Sequence, residues 1–384
     1  METFFASCPR GLEGVLAEEL TALGAQDVRA VEGGTGFRGP YALCYRINLE
    51  SRIASRVLWR IGQCRYRDEN DIFTVASKLP WTQWFGPTHS IRVDTSAIKS
   101  PLRSLDFVTL RVKDAVCDVL REAEGDRPNV DTRQPDVRIH VFLNRDDALF
   151  YLDTSGDALF KRGWRTATGD APLRENLAAG ILKLAGWTPD QPLLDPMCGS
   201  GTFLIEAALM ATRRAPGLNR KFGFEKLRNF DAKAWEALHR QAAAQENNSI
   251  KSNIYGYDRS GDAIADARQN VAALGFEQRI ELKQCSFEDS KAPAPAGVLI
   301  TNPPYGVRME ELDDLAAWYP TLGDILKQRY SGWTAYILTA DLRLAKIMRL
   351  QPSRRTPLFN GALECRLFKY EMVAGSMRKT KGVS

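Results

Sequence analysis

From about Asp170 to the C-terminus, short apolar runs alternate with stretches of helical periodicity, and that alternation admits few folds. The segment PLLDPMCGSGTFLIEAALMA reads as strand, glycine turn and helix. NIYGYDRS reads as a short strand ending in an acid, with a helix over Ala263–Ala273 after it. RIELKQC, GVLITNPPYG and WTAYILTA supply further strands, and Asn360-Gly361 marks a late hairpin between TPLF and ECRLFKYEM. Ahead of the first strand, LRENLAAGILKLAG carries apolar residues at helical spacing, with Asp170 as the expected N-cap and Pro172 in the first turn. Strands alternating with helices predict an α/β fold: a parallel, doubly wound sheet with an antiparallel end.

Such a sheet takes its ligands at the carboxyl ends of its strands. After the first strand, Asp195 is followed by Gly199-Ser200-Gly201, whose missing side chains let a ligand approach the backbone at a helix N-terminus. A tight strand-to-helix turn would use the same glycines. The dinucleotide fingerprint is incomplete, because Leu204 stands where its third glycine belongs, and no G-K-[ST] follows to make a P-loop. Asp258 ends the second strand, where an acid can accept two hydrogen bonds from a ribose diol, although an isolated acid there more often caps the next helix. The fourth strand ends in Thr301-Asn302-Pro303-Pro304-Tyr305, in which two prolines hold an amide and an aromatic ring in a stiff turn. Packing alone does not explain all three strand ends together.

Composition narrows the class. A chain of 384 residues exceeds one ordinary core and predicts two or three domains, and 44% apolar with 26% charged residues is the make-up of a soluble globular protein. No run reaches the eighteen or so apolar residues of a membrane span, and METFFASCPRG lacks the apolar core of a signal peptide, so the expected location is cytoplasmic, with no membrane partner. Seven scattered cysteines without a C-x-x-C pair, and three widely spaced histidines, argue against a disulfide framework and against a metal site. A net charge of +5 is compatible with a nucleic-acid partner without demanding one.

The first half reads differently. PDVRIHVFLNRDDALFYLDTSG alternates over two strands around a turn at Asn144–Asp147, as a half-buried hairpin does, and RSLDFVTLRVKDAVCDVLREA before it is helical, with Arg103, Arg111 and Lys113 off the apolar face. Such charges are ordinarily a solvated face.

LLDPMCGSGT, YGYD and TNPPYG resemble the cofactor loop, ribose acid and catalytic motif of class I S-adenosylmethionine-dependent methyltransferases acting on exocyclic amino groups. Upstream, FFASCPRGLE, SRIASRVL, RPNVD, LDTSGDALFKRGWR and APLRENLAA extend the resemblance over nearly the whole chain, to the bacterial 23S rRNA guanine-N2 methyltransferases with an N-terminal THUMP domain. The resemblance implies a ferredoxin-like segment over 1–50, a THUMP RNA-binding domain over 51–155 and a Rossmann-like methyltransferase domain over 166–378. In some bacteria a second methyltransferase, making 7-methylguanine, follows this unit; the present chain stops at Ser384, so the resemblance implies the N2 activity alone.

For the site, the resemblance implies S-adenosyl-L-methionine as cofactor. Asp195, Pro196 and the backbone of Cys198, Gly199, Ser200, Gly201 and Thr202 would hold its methionine end, and Asp258, with Arg259 beside it, the ribose hydroxyls. Asn176, flanked by Arg174 and Glu175, lies in the helix expected to cover the methionine carboxylate. Relatives often carry an acid after the third strand for the adenine amino group. In this chain the stretch is QCSFED, so the Ser286 hydroxyl or a backbone carbonyl is expected to take that amine, with Phe287 against the ring. THUMP domains hold structured RNA, in this case expected to be 23S rRNA, which raises the binding reading of Arg103, Arg111 and Lys113; Arg213, Arg214, Arg220 and Lys221 would form the other wall of an RNA channel.

The chemistry suits the catalytic motif independently. An exocyclic purine amine is a poor nucleophile, because its lone pair is delocalised into the ring. The Asn302 amide oxygen and the Pro303 carbonyl can draw its two N–H bonds out of plane and aim the lone pair at an electrophilic methyl, while Tyr305 stacks on the base. A tRNA guanine-N2 enzyme of the same plan, an adenine-N6 DNA enzyme and a non-catalytic RNA-binding factor are the rival expectations. The intact Asp195, Asp258 and Asn302 speak against the last of these.

Overall fold

The computed structural model describes residues 1–165, 173–247, 253–303 and 309–373, with the side chains of 309–316 left aside. The chain divides into two compact units, one of Met1–Cys8, Leu16–Phe160 and Ala215–Ala244, the other of Pro9–Val15, Lys161–Arg214 and Gln245–Ser384.

The first unit is built on a seven-stranded sheet. Its elements in chain order are β1 (Glu2–Ser7), α1 (Glu13–Ala22), β2 (Gln26–Val31), β3 (Gly34–Gly39), α2 (Leu43–Glu50), β4 (Arg56–Arg65), α3 (Glu69–Ala76), β5 (Ile91–Ala97), α4 (Leu105–Glu124), β6 (Val137–Leu143) and β7 (Asp147–Asp153). The strand order is β2-β3-β1-β4-β7-β6-β5. Because β1 pairs antiparallel with β4, the expected N-terminal segment and the expected THUMP segment share one sheet. The predicted hairpin is β6–β7. Its turn is held by the Asn144 amide oxygen, which accepts from the N–H groups of Asp146 and Asp147. Helix α4 starts at the Ser104 N-cap and ends at Gly125, whose φ of +83° is the left-handed conformation that glycine takes without strain.

Ala215–Ala244, expected inside the C-terminal domain, belongs to the first unit, and its aromatic content gives the reason. Phe222, Phe224, Phe230 and Trp235 gather around Tyr45 of α2, with ring centroids 4.5 Å apart for Tyr45–Phe224 and 5.1 Å for Phe224–Trp235. Burying that much ring surface outweighs chain continuity. Helix α7 (Ala232–Ala244) carries Trp235 into the cluster.

The second unit carries α5 (Glu175–Leu184), β8 (Leu193–Asp195), α6 (Thr202–Ala211), β9 (Ile254–Asp258), α8 (Gly261–Ala272), β10 (Ile280–Gln284), β11 (Gly297–Thr301), α9 (Met309–Arg329), β12 (Trp333–Thr339), α10 (Leu344–Ile347), β13 (Arg354–Asn360) and β14 (Leu363–Glu371). Its sheet runs β10-β9-β8-β11-β12-β14-β13, parallel through β12 and antiparallel thereafter, as the alternation predicts. The late hairpin is displaced by one residue. Asn360 pairs with Leu363, so the loop is Gly361-Ala362, with Gly361 at φ +67°. Helix α5 starts at Glu175 after an Arg174 N-cap, while Asp170 and Pro172 lie outside the described residues. Pro9–Val15 belongs to this unit. Leu12 is fully buried, and at Gly180 of α5 an added Cβ would fall 2.3 Å from the Leu12 side chain.

Candidate active site

The parallel strands β8, β9, β10 and β11 end on one edge of the second sheet with Asp195, Asp258, Gln284 and Thr301. Asp195 is buried there. Its Oδ1 accepts from the Thr301 hydroxyl at 2.8 Å and from the Met197 N–H at 3.1 Å. Burial, against which those two donors work, and the neighbouring charge of Asp258 push its carboxyl up to about 7.

The loop after β8 is fixed from several sides. The Cys198 N–H donates to the Tyr257 carbonyl and the Gly201 N–H to the Cys198 carbonyl, each at 2.8 Å. Gly199 and Gly201 sit at φ +52° and +85°, and nothing lies within 4 Å of the place a Gly199 Cβ would occupy, so the loop presents bare backbone to open space. Gly256 lets the loop and α6 close on β9, since a Cβ there would meet Leu204 at 2.2 Å and the Cys198 sulfur at 3.3 Å. The Asn270 amide donates to the Ser200 carbonyl at 3.1 Å.

Asp258 does two jobs. Its Oδ2 accepts from the Gly199 N–H and its Oδ1 from the Ser260 N–H, both at 2.9 Å, which leaves each oxygen a lone pair. It is not the cap of α8: that is Ser260, whose hydroxyl accepts from the Ala263 N–H. Burial and the charges of Asp195 and Asp258 push the Cys198 thiol well up, so it stays a thiol. Pro196 and Thr202 are buried with the loop, Asn176 is buried in the first turn of α5, and Arg259 is exposed.

Beyond β11, the Asn302 Oδ1 is buried and has no hydrogen-bond partner among the described residues. Pro303 is buried beside it, and Pro304 and Tyr305 lie outside the described residues. The two residues expected at the adenine lie just after β10. Phe287 is only 3% exposed and stacks on Tyr330 with centroids 5.9 Å apart, because a phenyl ring gains more from the core than from a solvated rim. The Ser286 hydroxyl donates to Asp289 at 2.8 Å and accepts from its N–H at 3.1 Å.

Sequence reasoning missed Arg165. Its Nε donates to Glu175 Oε1, its Nη1 to the Ser200 hydroxyl and its Nη2 to the Thr202 hydroxyl, each at 2.9 Å. A cation in KRGWR next to a tryptophan was the available signal. Thr301, immediately before the catalytic-type asparagine, was missed likewise.

Of the basic residues, Arg103, Arg213 and Lys221 are exposed. Arg111 lies over the Phe73 ring at 3.9 Å and donates to Asn70, and Lys113 pairs with Asp114 at 2.9 Å. Arg214 donates to the Leu274 carbonyl at 3.1 Å and faces Glu246 at 3.8 Å, and Arg220 donates to the carbonyls of Asp157 and Ala158. These last two guanidinium groups are engaged within the protein, which the expected RNA wall did not foresee. An open cavity of about 450 Å³ in the second unit, lined by Lys183, Tyr336, Arg354 and Lys369 among others, contains none of the strand-end residues. No described His, Cys, Asp and Glu residues group as metal ligands, and no helix among the described residues is long and apolar enough to cross a membrane.

A glycine loop after the first strand, an acid closing the second and an asparagine closing the fourth coincide with the match of residues 162–369 to the RMKL-like methyltransferase domain. The chain belongs to the RMKL-like methyltransferase family. Residues 66–153 match the THUMP domain and residues 3–58 the RlmL ferredoxin-like domain. The RMKL-like chain is 39% identical, over its whole length, to a ribosomal RNA large subunit methyltransferase K/L of Photobacterium profundum, of which it spans 54%. It therefore covers about half of that relative. It is 38% identical to a Synechocystis protein whose name describes an RNA methyltransferase, over 96% of both chains. The crystal structure of SMU.472, described as a methyltransferase complexed with SAH, superposes with a TM-score of 0.88 at 31% identity, over 98% of this chain and 99% of that one.

Proposed function

We propose that this chain transfers a methyl group from S-adenosyl-L-methionine to the exocyclic N2 of a guanine in 23S rRNA, in the cytoplasm, with the THUMP-containing unit holding structured RNA. The observation that carries the reading is the buried Asn302 Oδ1 just past the end of β11, which has no hydrogen-bond partner among the described residues. An acceptor left buried without a partner costs about 1–3 kcal/mol, and an incoming N–H group removes that cost.

The residues present fit the donor. Gly199 offers bare backbone beside open space, and both Asp258 oxygens keep a lone pair for a ribose diol. When bound, S-adenosyl-L-methionine supplies an electrophilic methyl group on a sulfonium. Asn302 and the Pro303 carbonyl accept the two N–H bonds of the amine and turn its lone pair out of the ring plane. Asn302 has no useful pKa and is not a base, so the proton leaves to water after transfer. Exposed Arg103 and partly exposed Arg111 in the THUMP-containing unit would contact phosphate, and their share of the affinity would fall with salt.

Nucleoside mass analysis of 23S rRNA and tRNA from cells lacking the chain tests this. The expected result is loss of N2-methylguanosine from rRNA, restored by the wild type and not by Asn302→Ala. Loss of N2-methylguanosine from tRNA alone would make tRNA the substrate, and loss of N6-methyladenosine would make adenine the target base.

A further inference from the structure

The geometry points to Arg165 as the positioning residue of the cofactor loop, acting on the amino-acid end of the methyl donor; this rests on the methyltransferase reading above. Three nitrogens of one guanidinium reach three places. Nε meets Glu175, the first residue of α5; Nη2 meets Thr202, the first residue of α6, and at 3.4 Å the Leu173 carbonyl; Nη1 meets Ser200 in the glycine loop. The Arg165 and Glu175 side chains are 13% and 7% exposed, and the guanidinium lies 4.8 Å from the centre of the Trp164 ring, a cation–π contact.

Two helix N-termini therefore meet at one cation. Each terminus carries partial positive charge, so a cation there is unfavourable unless an anion offsets it, and Glu175 does. The place keeps a positive balance and suits the α-carboxylate of a methionine moiety, while the Ser200 and Thr202 hydroxyls that shape the loop receive their hydrogen bonds from Arg165. Only a planar fork reaches three partners in fixed directions, so lysine cannot replace it.

The test compares ligands that differ only at that end. S-adenosylhomocysteine carries the amino acid; 5′-methylthioadenosine lacks it and keeps the adenosine. Calorimetry on the full chain should show Arg165→Ala weakening S-adenosylhomocysteine by about 10- to 100-fold, the effect of hydrogen bonds to a charged group, with less than about threefold change for methylthioadenosine. Arg165→Lys, which keeps the charge over Trp164, should lie between wild type and alanine for the first ligand only. Equal losses for both ligands, no loss for either, or a lysine variant that does not fold would each assign Arg165 to the scaffold and overturn the inference. Wild type that binds neither ligand would remove the methyltransferase reading itself, and this inference with it.

Discussion

Thr301 donates its hydroxyl to Asp195 at 2.8 Å, tying the end of β11, one residue before Asn302, to the end of β8, where the glycine loop begins. The catalytic-type asparagine and the loop thus share one hydrogen-bonded scaffold in the second unit. Thr301→Val removes the donor at nearly constant volume and leaves a buried carboxylate oxygen short of a partner. The expected outcome is a loss of about 1–3 kcal/mol in stability, read by denaturant titration.

Asp195 gives a pH dependence whose sign is fixed. Its folded-state carboxyl stands at about 7, above the usual 3.9 of an unfolded chain, so its contribution to stability is fully present below about 3.9 and is lost as the pH rises through 7. Asp195→Asn keeps the shape and does not ionise. Relative to wild type, the asparagine protein should gain on the order of 2–4 kcal/mol between pH 5 and pH 8. An unchanged difference between the two proteins across that interval would contradict the burial argument.

Asp258 holds the Gly199 N–H and keeps lone pairs for a diol, so Asp258→Ala should act twice. Affinity for S-adenosyl-L-methionine should fall by about 1.5–3 kcal/mol in calorimetry, and the melting temperature should fall without any ligand, because the loop loses its acceptor. Unchanged affinity in a folded variant takes Asp258 out of the site.

The alternation of strands and helices was enough to anticipate the second sheet, because period and turn residues are local properties. The strand-end acids and the asparagine were legible for the same reason. Arg165 was not, since its role depends on Glu175, Ser200 and Thr202 arriving at one point from three segments. Nor was the placement of Ala215–Ala244, which follows aromatic packing around Tyr45. SRIASRVL and LDTSGD, which carried the family resemblance, are structural in the first unit. Buried Asn48 donates to the Thr154 hydroxyl at 2.9 Å and accepts from the Ser155 hydroxyl at 2.6 Å, while buried Glu19 accepts from Ser51 and from the N–H groups of Arg52 and Ile53.

That network sets the next expectation. Asn48→Ala would leave the Ser155 hydroxyl without its acceptor, take one donor from the Thr154 hydroxyl, which still donates to the Val57 carbonyl, and open a void, at a cost of about 2–4 kcal/mol. Asn48→Asp should cost at least as much, because it places a charge in a fully buried position. Cofactor affinity of the folded fraction should not change, which calorimetry below the melting transition would check.

A chain beginning at Thr166 would lack Arg165 and also Leu12, which is buried in the second unit. Leu12→Ala alone should cost about 2–5 kcal/mol, as deletion of a buried leucine does. The shortened chain should therefore melt well below the full chain and bind cofactor weakly. A shortened chain with the full melting temperature and affinity would show that Pro9–Val15 contributes nothing to the second unit.

In the proposed reaction Asn302 sets function against stability. Its Oδ1 is buried with no partner among the described residues, so Asn302→Ala removes a group that already carries a desolvation cost. The ligand-free protein should be as stable as wild type or about 1 kcal/mol more stable, where most buried polar truncations destabilise. Cofactor affinity should hold nearly constant, since Asp258, the glycine loop and Arg165 are untouched. The rate of methyl transfer should fall about a hundredfold or more, because one oriented acceptor in a transition state is worth about 3–4 kcal/mol. Single-turnover measurements with radiolabelled cofactor read the rate, and a thermal melt of the same preparation reads the stability. A variant that loses stability yet methylates at the wild-type rate would show that the buried amide serves the turn and not the reaction.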